Sequence, residues 1–213
     1  MVPFNVRSVH RAHWYRHEMP MLAFGTGSLA PGATEDAVKQ AINLGITHID
    51  TAYDYGNQPD VGRAIAEFNR TSIFVTSKVE PQSNASTAFI QAIKQAQDGL
   101  RQLGVAYYDL LLLHNPPHGN TRYCAAMRES WRALETFLAA GNTRSIGVSN
   151  FCPSSLECLL SSNAKVVPAV NQILYHLGMT PDPGGIKSFC DAHGIYYCTC
   201  KRTRLWMAPT TSC

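Results

Sequence analysis

The stretch Asp109-Leu110-Leu111-Leu112-Leu113-His114 indicates both the type of sheet in this protein and the edge of the sheet where polar groups gather. Its leucines show no alternation between apolar and polar positions, which is typical of a strand that is covered on both faces, as in a parallel sheet. A histidine follows directly where this strand is expected to end. The stretch therefore predicts a parallel α/β sheet with polar groups at the carboxyl ends of its strands.

Short β-branched or aliphatic runs recur along the rest of the chain, with helix-like stretches between them. Their starts are 23 to 36 residues apart, which accommodates a strand, a helix and two connections, so we predict repeated βα units. The runs are Met21–Phe24, Ile46–Ile49, Ile73–Thr76, Asp109–Leu113, Ser145–Val148, Pro168–Val170 and Ile195–Cys198.

The intervening helices have recognisable ends. Thr34 is expected to cap a helix that stops at Gly45, and Asn84 or Ser86 is expected to open one that stops at Gly104. In the second helix a single face is predicted to pack on the core. That face consists of Ile90, Ile93, Gln97, Leu100 and Leu103.

Two folds are compatible with repeated βα units, an open doubly wound sheet and a closed (β/α)8 barrel. The open dinucleotide-binding sheet usually carries GxGxxG after its first strand, but here Gly25-Thr26-Gly27 is followed by Ser-Leu-Ala. Polar residues instead end successive predicted strands, as in a barrel. They are Asp50, Lys78, His114, Ser149, Asn150 and Gln172. We predict an α/β protein of the (β/α)8 TIM-barrel type, incomplete, with about seven βα units and no eighth strand.

The composition excludes several classes of function. The chain has 213 residues, 45% of them hydrophobic, and a formal net charge of +3 with basic residues scattered along it, which excludes nucleic acid as the main partner. The apolar runs fall far short of the roughly 18 residues that a membrane span needs. Seven cysteines without a CxxC pair favour a reduced, cytoplasmic chain.

The chain is expected to form one domain between two atypical ends. Residues 1–17 are predicted to be a poorly ordered N-terminal extension, residues 18–198 the incomplete barrel, and residues 199–213 an atypical tail. The extension contains His10, His13 and His17, but only Glu18 accompanies them, so we predict no metal site.

Five ordered motifs resemble those of the aldo-keto reductase family. Ile49–Asn57, with the sequence IDTAYDYGN, is similar to the family signature in which an Asp precedes the catalytic Tyr by five residues. Thr76–Val79 resembles the lysine strand of the family, Leu111–His114 its histidine strand and Ile146–Phe151 a further hallmark. Val170–Ile173 is similar to the strand that holds the nicotinamide. The resemblance covers roughly residues 18 to 195.

This resemblance implies an NADPH-dependent oxidoreductase that reduces an aldehyde or ketone. Tyr55 would give the proton, and a neighbouring Lys78 ammonium would favour the phenolate that remains. Asp50 would keep Lys78 charged and aimed through a charge-assisted hydrogen bond. His114 would orient the small-molecule carbonyl substrate.

The resemblance also implies a cofactor site. Ser149, Asn150 and Gln172 would bind the nicotinamide carboxamide. In the family, aromatic residues often follow the Gly-Thr of the first strand and the catalytic histidine, whereas Gly27 and Asn115 stand there in this chain. A more open and polar substrate pocket is expected.

The family pattern ends after Ile195. The family sequence Tyr-Ser-Pro-Leu, whose tyrosine stacks on the nicotinamide, is absent, and Tyr197 is the remaining candidate. The Lys-Ser and Arg-bearing loops that grip the cofactor phosphates in the family are also missing, so we expect a C-terminally truncated or alternatively ended member with impaired NADPH binding.

Two kinds of function stay open at this point. One is the reductase; the other is a catalytically inactive truncated isoform or a barrel fragment that binds a partner. An unclosed barrel leaves unpaired backbone groups on its first and seventh strands. Self-association through these open edges is therefore expected.

Overall fold

The computed structural model describes residues 18–117, 121–161, 164–176 and 178–200. The predicted N-terminal extension, with its three histidines, and residues 201–213 of the predicted tail lie outside these ranges.

Seven strands form a single parallel sheet in which each strand pairs with its neighbours in chain order. They are β1 (Ala23–Gly25), β2 (His48–Asp50), β3 (Phe74–Val79), β4 (Leu110–Leu113), β5 (Ile146–Ser149), β6 (Val170–Leu174) and β7 (Tyr196–Cys200). No eighth strand occurs among the described residues. The prediction of an incomplete TIM-barrel type fold is confirmed.

Helices connect the strands, as repeated βα units require. They are α1 (Thr34–Asn43), α2 (Gln58–Ile65), α3 (Ala85–Leu103), α4 (Cys124–Ala139), α5 (Pro153–Leu160) and α6 (Ile186–Ala192). A 3₁₀ helix at Tyr53–Tyr55 follows β2 and contributes to the candidate site. No described helix combines the length and the apolar character needed to cross a membrane.

The predicted helix ends are only partly correct. Asn84 caps α3, because its side chain accepts a 2.9 Å hydrogen bond from the Ser86 amide. Thr34 does not cap α1: it is the first helical residue, and its hydroxyl donates to the Ala30 carbonyl at 3.0 Å. Gly104 ends α3 in the left-handed region, with φ of 64°, as predicted.

The predicted core face of α3 is wrong in part, since Ile90 is 66% exposed. The helix instead turns small residues toward the core, where Tyr108 donates a 2.8 Å hydrogen bond to the Ala96 carbonyl. Bulky residues would hold the helix away from this tyrosine. The buried positions of α3 are Ala88, Ala92, Ala96, Gly99 and Leu103.

The cysteines do not all stay reduced. Cys124, at the start of α4, and Cys158, in α5, form a disulfide with their Cα atoms 5.8 Å apart. The expectation of a fully reduced chain is therefore wrong for this pair, which lies 34 residues apart and has no CxxC spacing to announce it. Cys152 and Cys190 are buried and lie outside this disulfide.

Candidate active site

Lys78 is the buried centre of the candidate site. Its side chain is 1% exposed, and its ammonium donates to Asp50 Oδ1 and, at 3.0 Å, to the Thr51 carbonyl. Burial lowers the pKa of Lys78, but the charges of Asp50 and Tyr55 and hydrogen bonds to them outweigh burial and raise it. Lys78 therefore stays charged. It lies within β3 and not after it, because the strand runs further than the sequence indicated.

Tyr55 lies at the end of the 3₁₀ helix, beside this cation. The Lys78 Nζ atom is 5.3 Å from the centre of the Tyr55 ring. Burial raises the pKa of the Tyr55 hydroxyl, and the Lys78 charge opposes that increase without reversing it. The phenol therefore keeps its proton at neutral pH, and the Lys78 charge acts in the predicted direction, toward the phenolate.

His114 follows β4 and packs edge-on against Tyr55, with ring centres 5.5 Å apart. Its Nδ1 atom lies 3.0 Å from Asp54 Oδ1 and 2.5 Å from Glu80 Oε1. Burial lowers the pKa of His114, but the neighbouring Asp54 and Glu80 carboxylates outweigh burial and raise it.

Asp54 and Glu80 were not identified from the sequence. Each follows shortly after a strand, Asp54 after β2 and Glu80 directly after β3. That position alone could have marked both acids as neighbours of the barrel mouth.

The candidate cofactor residues form one connected group at the end of β5 and in β6. Gln172 lies within β6 and not after it, because this strand runs further than the sequence indicated. The Ser149 hydroxyl donates to the Gln172 carbonyl at 2.9 Å, and Asn150 Nδ2 donates to Ser149 Oγ at 3.0 Å. Asn150 has a left-handed backbone, with φ of 60°, and its amide also donates to the His114 carbonyl at 3.0 Å. The group thus touches the acid–base residues directly.

Gln172 provides a second connection between the candidate cofactor residues and the acid–base residues, besides the one from Asn150 to His114. Its Nε2 atom donates to Asp50 Oδ2 at 2.8 Å, while Lys78 holds the other carboxylate oxygen of Asp50. All seven residues singled out from the sequence therefore lie in one continuous cluster. The cluster comprises Asp50, Tyr55, Lys78, His114, Ser149, Asn150 and Gln172.

Two further tyrosines lie away from this cluster. The Tyr53 hydroxyl donates to Asp98 Oδ2 in α3 at 3.0 Å. Tyr197 pairs in register with Asn171 and packs in the outer core, where the Lys187 ammonium lies 5.6 Å from its ring centre. Its strand neighbour Cys198, beside Gln172, faces the barrel interior instead.

The two positions expected to open the pocket have defined contacts. A Cβ atom on Gly27 would lie 2.8 Å from Tyr55 Cζ, so the phenol ring fills the space next to this glycine. Asn115 Oδ1 accepts a 2.9 Å hydrogen bond from Asn150 Nδ2. Both positions therefore border the candidate site.

One group of side chains in the described part of the chain has the spacing of metal ligands. It consists of Asp54, Glu80 and His114, whose donor atoms lie within 4.8 Å of one another. Both carboxylates, however, contact the same imidazole nitrogen, and a cation would have to replace that contact. The absence of a metal site stays a prediction.

A parallel βα sheet with a buried Asp–Lys pair, a tyrosine and a histidine at one mouth defines a βα-barrel protein with an acid–base site. Residues 21–200 match the Aldo/keto reductase family. Because this match covers most of the chain, the chain belongs to the aldo/keto reductase family.

Individual relatives agree with this assignment. Aldo-keto reductase family 1 member A1 of Xenopus tropicalis is 32% identical over 201 residues, which cover 84% of this chain and 60% of the relative. NAD/NADP-dependent indole-3-acetaldehyde reductase of Schizosaccharomyces pombe is 39% identical over 164 residues, which cover 75% of this chain and 54% of the relative. The chain thus spans somewhat more than half the length of these relatives.

Solved structures share the fold. MGS-M4, an aldo-keto reductase from a Medee basin deep-sea metagenome library, superimposes with a TM-score of 0.75 at 33% identity, over 85% of this chain and 63% of its own. A Bombyx mori aldo-keto reductase in complex with NADP gives a TM-score of 0.70 at 32% identity, over 84% and 61% of the two chains.

Proposed function

We propose that this chain carries the acid–base site of an NADPH-dependent oxidoreductase that reduces an aldehyde or ketone to an alcohol. The observation that carries the proposal is the buried Lys78 ammonium, which is bound to Asp50 and lies beside the Tyr55 ring. A buried cation next to a phenol stabilises the phenolate that remains when the phenol gives up its proton. Family membership and the names of the relatives support the same reaction class.

Each residue of the cluster has a role in this proposal. Tyr55 donates its proton to the substrate oxygen as that oxygen becomes negative, and Lys78 stabilises the resulting phenolate. Asp50 holds Lys78 charged and in place. His114 donates a hydrogen bond that orients the carbonyl.

Ser149, Asn150 and Gln172 are proposed to bind the carboxamide of the nicotinamide. Their fit is supported by the amide groups of Asn150 and Gln172, which lie at the mouth beside the acid–base residues. When bound, the nicotinamide supplies the hydride that reaches the carbonyl carbon. The silkworm relative described with NADP supports this choice of cofactor.

The proposed cofactor residues are uncharged, so they account for the nicotinamide end and not for the phosphates. Charge-assisted hydrogen bonds to phosphate are roughly twice as strong as neutral ones. We therefore propose that the 213-residue chain by itself binds NADPH weakly. The cytoplasmic location stays a prediction.

The test uses two proteins, this chain alone and a chimera in which β7 continues into the C-terminal part of a full-length relative. NADPH consumption with a reactive aldehyde such as a nitrobenzaldehyde is followed in both. Tyr55→Phe should lower turnover of the chimera by at least about 10²-fold, because general acid catalysis is lost. Tyr53→Phe is the matched control, since this nearby hydroxyl bonds to Asp98. Near-normal turnover by Tyr55→Phe would exclude it as the proton donor.

A second candidate function, binding of a partner through the sheet edges, is supported by β1 and β7. Within the described ranges each of these strands pairs on one side only. Leu22, just before β1, is 66% exposed, and Tyr196 in β7 is 44% exposed. We propose that a second copy of the chain covers these edges.

Light scattering of the purified chain over a range of concentrations tests this second candidate. Leu22→Lys should shift the population toward the monomer. Ile90→Lys should not, because Ile90 is equally exposed, at 66%, but lies on the outer helix α3. A monomer at every concentration in the unsubstituted chain contradicts the proposal.

A further inference from the structure

Two carboxylates meet a single nitrogen of the candidate catalytic histidine. Asp54 Oδ1 and Glu80 Oε1 lie 3.0 Å and 2.5 Å from His114 Nδ1. The two acids come from different elements, the 3₁₀ helix after β2 and the segment after β3. Asp54 Oδ1 forms a hydrogen bond with Nδ1, and because an ionised carboxylate can only accept, Nδ1 must carry the proton. Glu80 Oε1 is a close charge contact that makes no hydrogen bond of its own.

The remaining groups around His114 do not offset these two negative charges. The Lys78 ammonium is engaged by Asp50, and the neutral Tyr55 ring packs in a T-shaped arrangement with the imidazole. On the side of β5, Asn150 is uncharged and donates to the His114 carbonyl. The charged form of the imidazole is therefore favoured by its surroundings.

We propose that Asp54 and Glu80 are positioning residues that keep the Nδ1 proton on His114 and hold its ring as an imidazolium at neutral pH, so that Nε2–H meets the substrate oxygen as a charged donor. Nδ1 and Nε2 are separate N–H donors of the charged ring, so acids that engage Nδ1 leave the Nε2 proton for the substrate. The part of this proposal that concerns the substrate rests on the proposed function.

A charged donor at His114 complements Tyr55 in the reduction. Hydride addition to the carbonyl carbon places negative charge on oxygen, and that oxygen then takes the proton of Tyr55. The imidazolium keeps both of its protons and contributes a charge-assisted hydrogen bond, which is stronger than a neutral one. Such a donor matters here because burial raises the pKa of the Tyr55 hydroxyl and makes it a weaker acid.

The imidazole can be observed directly by long-range ¹H–¹⁵N NMR on the ¹⁵N-labelled 213-residue chain, without cofactor or substrate. His114→Gln assigns the resonances among the eight histidines of the chain. We expect the ¹⁵N chemical shifts of His114 to stay those of the charged ring when the pH rises above ~6.5, the midpoint of an ordinary histidine. On deprotonation, the Nε2 proton should leave first.

Isosteric substitutions then test the two acids. Asp54→Asn and Glu80→Gln should each lower the His114 midpoint by about one pH unit, the smaller end of what one opposite charge at this distance causes. Glu67→Gln is the matched control, because this acid pairs with Lys39 on the outer surface. Circular dichroism checks that each variant is folded. If one of the two variants does not fold, the test uses the variant of the other acid.

Three results would overturn the proposal. They are a His114 midpoint at or below that of an ordinary histidine, a midpoint that neither substitution lowers, and stoichiometric binding of Zn²⁺ that removes the titration, which would make the acids metal ligands. The NMR result is independent of turnover. An active chimera with an ordinary His114 would reject this inference alone, whereas a raised midpoint in an inactive chimera would reject the proposed function.

Discussion

Gln172 Nε2 donates a 2.8 Å hydrogen bond to Asp50 Oδ2, which joins residues 122 positions apart in the sequence. Asp50 gives its other carboxylate oxygen to Lys78. A change in the position of Gln172 can therefore reach the buried ion pair through a single carboxylate. The proposed cofactor residues and the proposed proton-transfer residues form one hydrogen-bonded unit.

Gln172→Ala should weaken NADPH binding to the chimera by roughly 1 to 3 kcal/mol, the cost of leaving a buried polar partner unsatisfied. This corresponds to a Kd about 5- to 150-fold higher. NADPH fluorescence titration measures the change. Gln97→Ala, an exposed glutamine on α3, is the control. An unchanged Kd in Gln172→Ala would reject the carboxamide assignment.

Gly27→Ala should lower turnover of the chimera while leaving its stability nearly unchanged. The added Cβ would lie 2.8 Å from Tyr55 Cζ, so the phenol ring must move. Displacement of a reacting group by about 1 Å can cost up to roughly 10²-fold in rate. Gly25→Ala is the matched control, because its Cβ would meet no atom within 4 Å. Equal turnover in the two variants would show that the ring adapts without loss.

Lys78→Met should destabilise the chain by about 3 kcal/mol or more, because it leaves the Asp50 carboxylate buried without its cation. Urea unfolding measures the change. Lys39→Met, which breaks surface ion pairs with Glu35 and Glu67, should cost much less, because exposed ion pairs contribute little. The double variant Lys78→Met with Asp50→Asn separates two causes of the lost stability. If the double variant is more stable than Lys78→Met, the loss comes from the unpaired Asp50 charge. If it is less stable still, the loss comes from packing.

The sequence predicted which candidate residues lie together better than it predicted the packing. Asp50, Lys78, His114 and Gln172 could be found because parallel strands bring their carboxyl ends to one edge, so order along the chain becomes proximity in space. Asp54 and Glu80 escaped notice because acids near loops are common. Their contact with His114 depends on how a 3₁₀ helix and the end of β3 fold over the mouth.

The errors in packing have local causes. Ile90 was expected in the core, but Tyr108 bonds to the Ala96 backbone and selects a face of small residues. Tyr197 was a candidate for stacking on the nicotinamide, yet the period of two residues along β7 turns it to the outer core and gives the interior to Cys198. A shift of one residue in the pairing of β7 would exchange its core-facing and interior-facing side chains. The composition of this strand does not determine which of the two pairings forms.

Two histidines should give the stability of the chain opposite pH dependences. Burial lowers the pKa of His48, although a hydrogen bond to the Pro20 carbonyl opposes this. Its contribution is therefore present above the unfolded value near ~6.5 and is lost as the pH falls toward the folded pKa. His48→Gln should flatten the loss of stability on the acidic side. Urea midpoints between about pH 5 and 7 check this, and an unchanged slope would contradict it.

His114 should act in the opposite direction, because its pKa is raised in the folded chain by Asp54 and Glu80 against the effect of burial. The folded chain then binds more protons than the unfolded chain between the two pKa values. The stability that His114 contributes is fully present below the unfolded value near ~6.5 and is lost as the pH rises through the folded pKa. The free energy of unfolding of the wild type, minus that of His114→Gln, should therefore fall with increasing pH across this window. Taking this difference cancels the contribution of His48, which is common to both proteins. A difference that rises with pH would mean that burial outweighs the two carboxylates and that His114 is neutral in the folded chain.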